Sequence, residues 1–157
     1  AITASVVPLR PDSRGHVRIT SADPMQPPEI SPNYLSAESD RITAADAIRL
    51  TRRIMSAAPM ARYHPQEFRP GPGDDSDAAL AEAAGHVGST IFHPVGTARM
   101  GSDPSAVVDP QLRVRGVAGL RVADASIMPT LISGNTNATC LMIGEKCAEM
   151  IAAEHRN

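Results

Sequence analysis

Proline and glycine decide where this chain can hold regular structure. Between Ala22 and Leu35 stand Pro24, Pro27, Pro28 and Pro32. Each lacks an N–H and fixes φ, so this stretch cannot be an interior element and is expected to run extended over the surface. A second tract, Arg69-Pro70-Gly71-Pro72-Gly73-Asp74-Asp75-Ser76, reads as a loop that hands its acidic residues to the positive end of a following helix, Asp77 to about Ala84. Between the two tracts, Ala44, Ala47, Ile48, Ile54 and Met55 recur near the helical period. Thr43 suits an N-cap with Asp46 three residues on, which predicts a helix from Ala44 to Ala57 that stops before Pro59. Upstream, Ile2–Leu9 and Val17–Thr20 flank the turn-rich Arg10–Gly15 and are expected to form a two-stranded hairpin. Downstream, Leu112-Arg113-Val114 and Leu120-Arg121-Val122 alternate around Gly116 and Gly119 and read as short strands. The last segment, Ala138 to Ala153, places Cys140, Ile143, Cys147, Met150 and Ile151 on one side and Glu145, Lys146 and Glu149 on the other, an amphipathic helix made to dock on a sheet.

Composition removes several function classes. Fifteen basic and seventeen acidic residues leave a net charge of -2, and only two Tyr and two Phe are present to stack on bases, so a nucleic-acid partner is not expected. No apolar run approaches the ~18 to 20 residues needed to span a bilayer. Cys140 and Cys147 lie two helical turns apart, roughly 10 Å of rise, too far for a disulfide within one helix, and are expected to be reduced. His86 and His93 belong to no metal-ligand pattern, so no metal site is predicted. At 157 residues, 42% of them apolar, the chain can form a real core. It begins with Ala and shows no signal segment, and is expected to be the C-terminal part of a longer polypeptide. The compartment is left undetermined, with a cytoplasmic setting favoured over membrane association.

Three polar segments carry the chemistry: His93-Pro94-Val95-Gly96-Thr97, Leu120-Arg121-Val122-Ala123-Asp124-Ala125-Ser126, and Ser133-Gly134-Asn135-Thr136-Asn137-Ala138. Pro94 favours an extended backbone at His93, and Gly96 suggests a crowded turn that would hold the imidazole fixed. A neutral imidazole, titrating at about pH 6.5, suits removal of a hydroxyl proton. Taken alone, His93 could as well cap a turn. Asn135 precedes the last helix, where Thr136 or Asn137 is expected to cap free N–H groups. Asp124 closes a small-residue strand exit, a common place for a turn former and for cofactor contact alike. No G-x-G-x-x-G occurs anywhere.

In this order and spacing the three segments resemble the C-terminal signature of the glucose-methanol-choline family of FAD-dependent alcohol oxidoreductases. Pro11-Asp12-Ser13-Arg14-Gly15 and Pro32-Asn33-Tyr34-Leu35 extend the resemblance upstream, while Ala98 stands where many relatives have Cys. The resemblance implies that His93 is the active-site base and Asn135 its partner on the substrate oxygen. It also implies that Asp124 and Ala125 pack against the FAD diphosphate and ribityl chain, and that Asn135, Thr136 and Asn137 contact the flavin, toward which the last helix points. The fold implied is α/β plus α+β: residues 1–89 from a substrate domain built on an antiparallel sheet, and residues 90–157 the active-site loop and the segment completing an FAD-binding α/β domain. Partners implied are an alcohol, the N-terminal FAD-binding half of the parent chain, and oxygen or a quinone as electron acceptor. Choline, aliphatic alcohols, polyethylene glycols and sugars remain equally open as substrates. The alternatives are a hydroxynitrile lyase on the same scaffold, or a non-catalytic fragment when the chain is isolated.

Overall fold

The computed structural model describes residues 2–73 and 75–156. The chain divides into two compact units, Ala1–Thr90 and Ile91–Asn157. Asp74, one of the acidic residues expected before the second helix, lies outside the described residues.

The first unit contains β1 (His16–Arg18), β2 (Glu29–Ser31), α1 (Glu38–Met55) and α2 (Asp77–Val87). β1 and β2 pair antiparallel, with His16 opposite Ser31 and Arg18 opposite Glu29. This corrects the predicted hairpin: Ile2–Leu9 forms no strand, and the partner comes from the proline-rich stretch. Pro28 and Pro32 flank the three paired residues without entering them, so no ladder N–H is lost.

α1 starts six residues before its expected first turn. Thr43 does not cap it; its hydroxyl donates back to the Ser39 carbonyl at 2.8 Å inside the helix. The cap position belongs to Ala37, whose N–H donates to Ser13 Oγ at 3.1 Å. Asp40, 6% exposed, accepts from the N–H groups of Asp12 (2.9 Å) and Ser13 (2.8 Å). Burial pushes the Asp40 carboxyl up, but the Ser13 hydroxyl, the two N–H groups and the Arg14 charge outweigh it and hold it below its ordinary value. The two upstream signature segments meet here. Asn33 Nδ2 donates to the Arg14 carbonyl at 2.9 Å, and a Cβ on Gly15 would stand 2.0 Å from the Ser31 carbonyl oxygen. Only glycine permits that backbone approach.

α1 gives way to a 3-10 turn, Ala58–Tyr63, with Pro59 in its first turn. α2 begins where expected, and the Ser76 hydroxyl accepts from the Ala79 N–H at 3.3 Å. It packs on α1 through Ala45, Leu80 and Ala81. Arg49 reaches Asp77 at 2.7 Å, and Arg52 holds Glu67 at 2.9 Å together with Asp75, so two arginines of α1 clamp the connecting loop.

The second unit has one long element, α3 (Asn137–Glu154), within a residue of its predicted bounds at each end. Ile143 and Cys147 project into a core shared with Val108, Leu112, Ile127 and Met128, flanked by Val95, Ile132 and Cys140. Burying each such side chain contributes roughly 1.5–3 kcal/mol. Both cysteines are free thiols. The two strands predicted around Gly116 and Gly119 are corrected to isolated bridges: Arg113 to Arg121 joins the two runs, bounded by Val114 N–H to Leu120 O (2.9 Å) and Val122 N–H to Leu112 O (3.1 Å), and Val114 bridges Val108, both antiparallel. The glycines adopt φ of 80° and 72°, and the tight reversal leaves too few residues on either side for a ladder. α3 therefore docks on a mat of bridged loops rather than on a sheet. Arg121 ties this mat to the helix end through Glu154 at 2.5 Å.

Candidate active site

All six residues singled out from the sequence fall in the second unit. His93 is half-buried, at the start of a turn whose later residues are held at several points. Val95 packs on the core. Gly96 adopts φ 89°, and a Cβ there would sit 3.2 Å from the Met128 carbonyl oxygen. The Ala98 N–H donates to Ser126 O at 3.0 Å and the Met100 N–H to Ile127 O at 2.8 Å. Arg99 then forks onto Asp103 at 2.8 and 2.6 Å, and this guanidinium holds the Asp103 carboxyl well below the usual carboxylate range. The departure from the family pattern at Ala98 sits inside this hydrogen-bonded run, and its backbone makes the same kind of link any residue could.

Asp124 is the cap of a 3-10 turn, Ala125–Ile127, and its Oδ1 accepts from the Ser126 N–H at 2.7 Å. Its carboxylate therefore works first as a turn former. Ala125 packs against the core, and Ser126 and Ile127 receive the bonds from the histidine turn. The His93 and Asp124 segments are thus laced together.

Asn135 and Asn137 are exposed, and Thr136 is 7% exposed. Thr136 stands at the α3 N-cap, but contrary to expectation neither it nor Asn137 caps the helix by side chain. The first backbone bond closes from Cys140 N–H to Thr136 O at 2.9 Å. That leaves the N–H groups of Asn137, Ala138 and Thr139 as the helix's outward donors. No acidic residue occupies the first turn. A helix start with partial positive charge, no side-chain cap from Thr136 and no acidic residue in its first turn fits the electron-rich N1 and C2-carbonyl edge of a flavin. Among the described hydrogen bonds none joins His93 to Asn135; Val95, two residues after His93, and Ile132 and Cys140, on either side of Asn135 in sequence, flank one core. Sequence reasoning did not anticipate Phe92, whose left-handed backbone immediately precedes His93; no residue-type pattern marks a phenylalanine for that conformation.

Among the described residues no group of His, Cys, Asp and Glu is placed to hold a metal ion, and no helix is long and apolar enough to cross a membrane.

Comparison with known proteins agrees on one family. A model described as GMC oxidoreductase matches residues 11–144. The chain is 48% identical over 149 residues to an alcohol dehydrogenase [acceptor] of Pseudomonas putida, covering 95% of this chain and 27% of the relative. It is 52% identical over 143 residues to an oxygen-dependent choline dehydrogenase of Escherichia coli O45:K1 (strain S88 / ExPEC), covering 91% and 25%. In structure it is similar to pyridoxine 4-oxidase from Mesorbium loti, with a TM-score of 0.83, 38% identity and coverage of 90% and 28%. The chain spans about a quarter of the length of these relatives.

Proposed function

Since the chain belongs to the GMC oxidoreductase family, whose members are FAD-dependent, we propose that the protein containing it oxidises a primary or secondary alcohol to the aldehyde or ketone. The names of its relatives direct attention to simple alcohols and choline. In this reading residues 1–89 contribute to the substrate domain and residues 90–157 complete the FAD domain. FAD, when bound, supplies the acceptor for the carbinol hydride. Asp124 and Ala125 would line the diphosphate and ribityl chain, and Asn135, Thr136 and Asn137 with the α3 N–H donors would hold the flavin edge. His93 takes the hydroxyl proton as the carbon–oxygen double bond forms, and the Asn135 amide donates to the substrate oxygen while it carries developing negative charge. Oxygen or a quinone then removes the electrons.

The observation that supports this reading is that the segment after a half-buried histidine and the segment leading into a helix with no side-chain cap from Thr136 both contribute residues flanking one apolar core. The test follows flavin absorbance of the parent-length protein anaerobically while choline and a series of aliphatic alcohols are added, beside the His93→Ala variant. The expected result is bleaching by at least one alcohol, slowed in the variant. Bound flavin that no alcohol reduces would favour the lyase, and the absence of bound flavin would sink the reading.

A further inference from the structure

The 3-10 turn Ala125–Ile127 is closed more firmly by a side chain than by its own backbone. Its backbone bonds run from Ile127 N–H to Asp124 O at 3.3 Å and from Met128 N–H to Ala125 O at 3.2 Å, both long. The Ser126 N–H donates to Asp124 Oδ1 at 2.7 Å, and such a charge-assisted bond is roughly twice as strong as a neutral one. Burial of Ile127 and Met128 keeps the turn on the core but does not set which way its carbonyls point. Those carbonyls are what the histidine's segment meets. Ser126 O accepts from the Ala98 N–H at 3.0 Å, Ile127 O accepts from the Met100 N–H at 2.8 Å, and Met128 O stands 3.2 Å from where a Cβ on Gly96 would be.

We propose that Asp124 is a positioning residue for His93: its carboxylate, by closing the 3-10 turn, directs the carbonyls on which the segment after the histidine hangs. This role is separate from any contact of Asp124 with FAD, since it runs through Ser126, Ile127 and the backbone N–H groups of Ala98 and Met100. Loss of the carboxylate leaves the turn with its two long backbone bonds, and the points that hold Gly96, Ala98 and Met100 shift with it. Pro94 and Val95 join His93 to Gly96. The proline ring fixes one dihedral of that link and core packing limits the valine, so the link absorbs little of a shift before it reaches the histidine. A misplacement on the order of 1 Å can cost ~100-fold in rate.

The inference rests on His93 being the base. The test uses the parent-length holoenzyme with Asp124→Asn, Asp124→Glu and Asp124→Ala. Asparagine keeps an acceptor oxygen at the same reach and removes the charge, whereas glutamate keeps the charge and moves the oxygen a methylene away. The expected order of flavin-reduction rates is D124N above D124E and D124A, with D124A lowered ~100-fold in kcat and KM and flavin content held. Amide exchange of the peptide carrying Ala98 and Met100, read by mass spectrometry, is expected to be faster in D124E and D124A than in D124N. A rate for D124E at or above D124N would overturn the proposal in favour of the charge, and a loss that follows flavin content would overturn it in favour of cofactor contact. Unchanged exchange at Ala98 and Met100 in D124A would overturn it as well, because the carboxylate would then not hold the turn. If D124A does not fold, D124N against D124E decides. His93→Ala in the same series separates the two readings: an undiminished rate there sinks the base assignment, while a normal loss there with the wrong order at residue 124 sinks only this inference.

Discussion

Among the described residues of the first unit the buried side chains are Ala45, Leu80, Ala81 and a carboxylate, Asp40, and its loops are fastened by Asp40, Arg49 and Arg52. In the second, six apolar side chains form a continuous core beneath loops with one long helix, and the polar fastenings run mainly between backbone groups. The difference concerns what each region must hold still. Two packed helices need only their connections tied, and one buried carboxylate with partly exposed ion pairs does that. The turn proposed to carry the catalytic base has no ladder of its own and is held at points along its length against a close-packed interior.

The comparison breaks most visibly at the histidines. His93→Ala in the parent-length protein is expected to lower the rate of flavin reduction by ~10²- to 10⁴-fold, while His86→Ala in the first unit leaves it unchanged, as read by anaerobic stopped-flow absorbance. Comparable losses from both would end the assignment of chemistry to one unit. Next come the cores. Leu80→Ala and Ile143→Ala are each expected to cost about 2–5 kcal/mol. Amide exchange should rise in α1 and α2 for the first and in α3 for the second; uniform loss of protection across both units would show that they do not open separately.

The Asp40 latch gives a smaller, pH-dependent effect. Its folded pKa lies below the ordinary 3.8, so its contribution is complete above that value and is lost as pH falls through the folded one. Acid below about pH 4 should therefore weaken the latch. Asp40→Asn is expected to cost about 1.5–3 kcal/mol near neutrality and to flatten the acid limb of a denaturation series; an unchanged limb would remove Asp40 from the account. Smallest is Arg52→Ala, expected to cost no more than ~1 kcal/mol and less in high salt. A larger, salt-independent loss would mean that the clamp behaves as part of the core.

Elements specified by neighbouring residues were legible in the sequence. α2 has its Ser76 cap and Asp77 start, and α3 its apolar spacing, and both begin within one residue of expectation. Elements specified at a distance were not. α1 takes its N-terminal partner from Ser13, 24 residues away, so Thr43 looked like the start although it is an interior residue bonded to Ser39. β2 was hidden because prolines flank it, and its pairing with β1 depends on Gly15 lying against Ser31. At the candidate site, residue types and order pointed to His93, Asp124 and Asn135. The absent side-chain cap on α3 and the backbone of Phe92 follow from φ and ψ values that residue identity does not carry.

Gly96 restricts what this gene can become. A glycine codon is one base change from Ala, Val, Asp, Glu, Ser, Arg, Cys or Trp, and asparagine, the non-glycine residue most at ease with positive φ, is two changes away. Of the one-step products only aspartate tolerates φ 89° with any ease, and it would carry its charge to the Met128 carbonyl, 3.2 Å from the new Cβ. Each single-base path out of this position thus leads to a strained or repelled turn beside the histidine, so drift by point mutation is closed at Gly96 and the position changes only through a double substitution or a compensating shift at Met128.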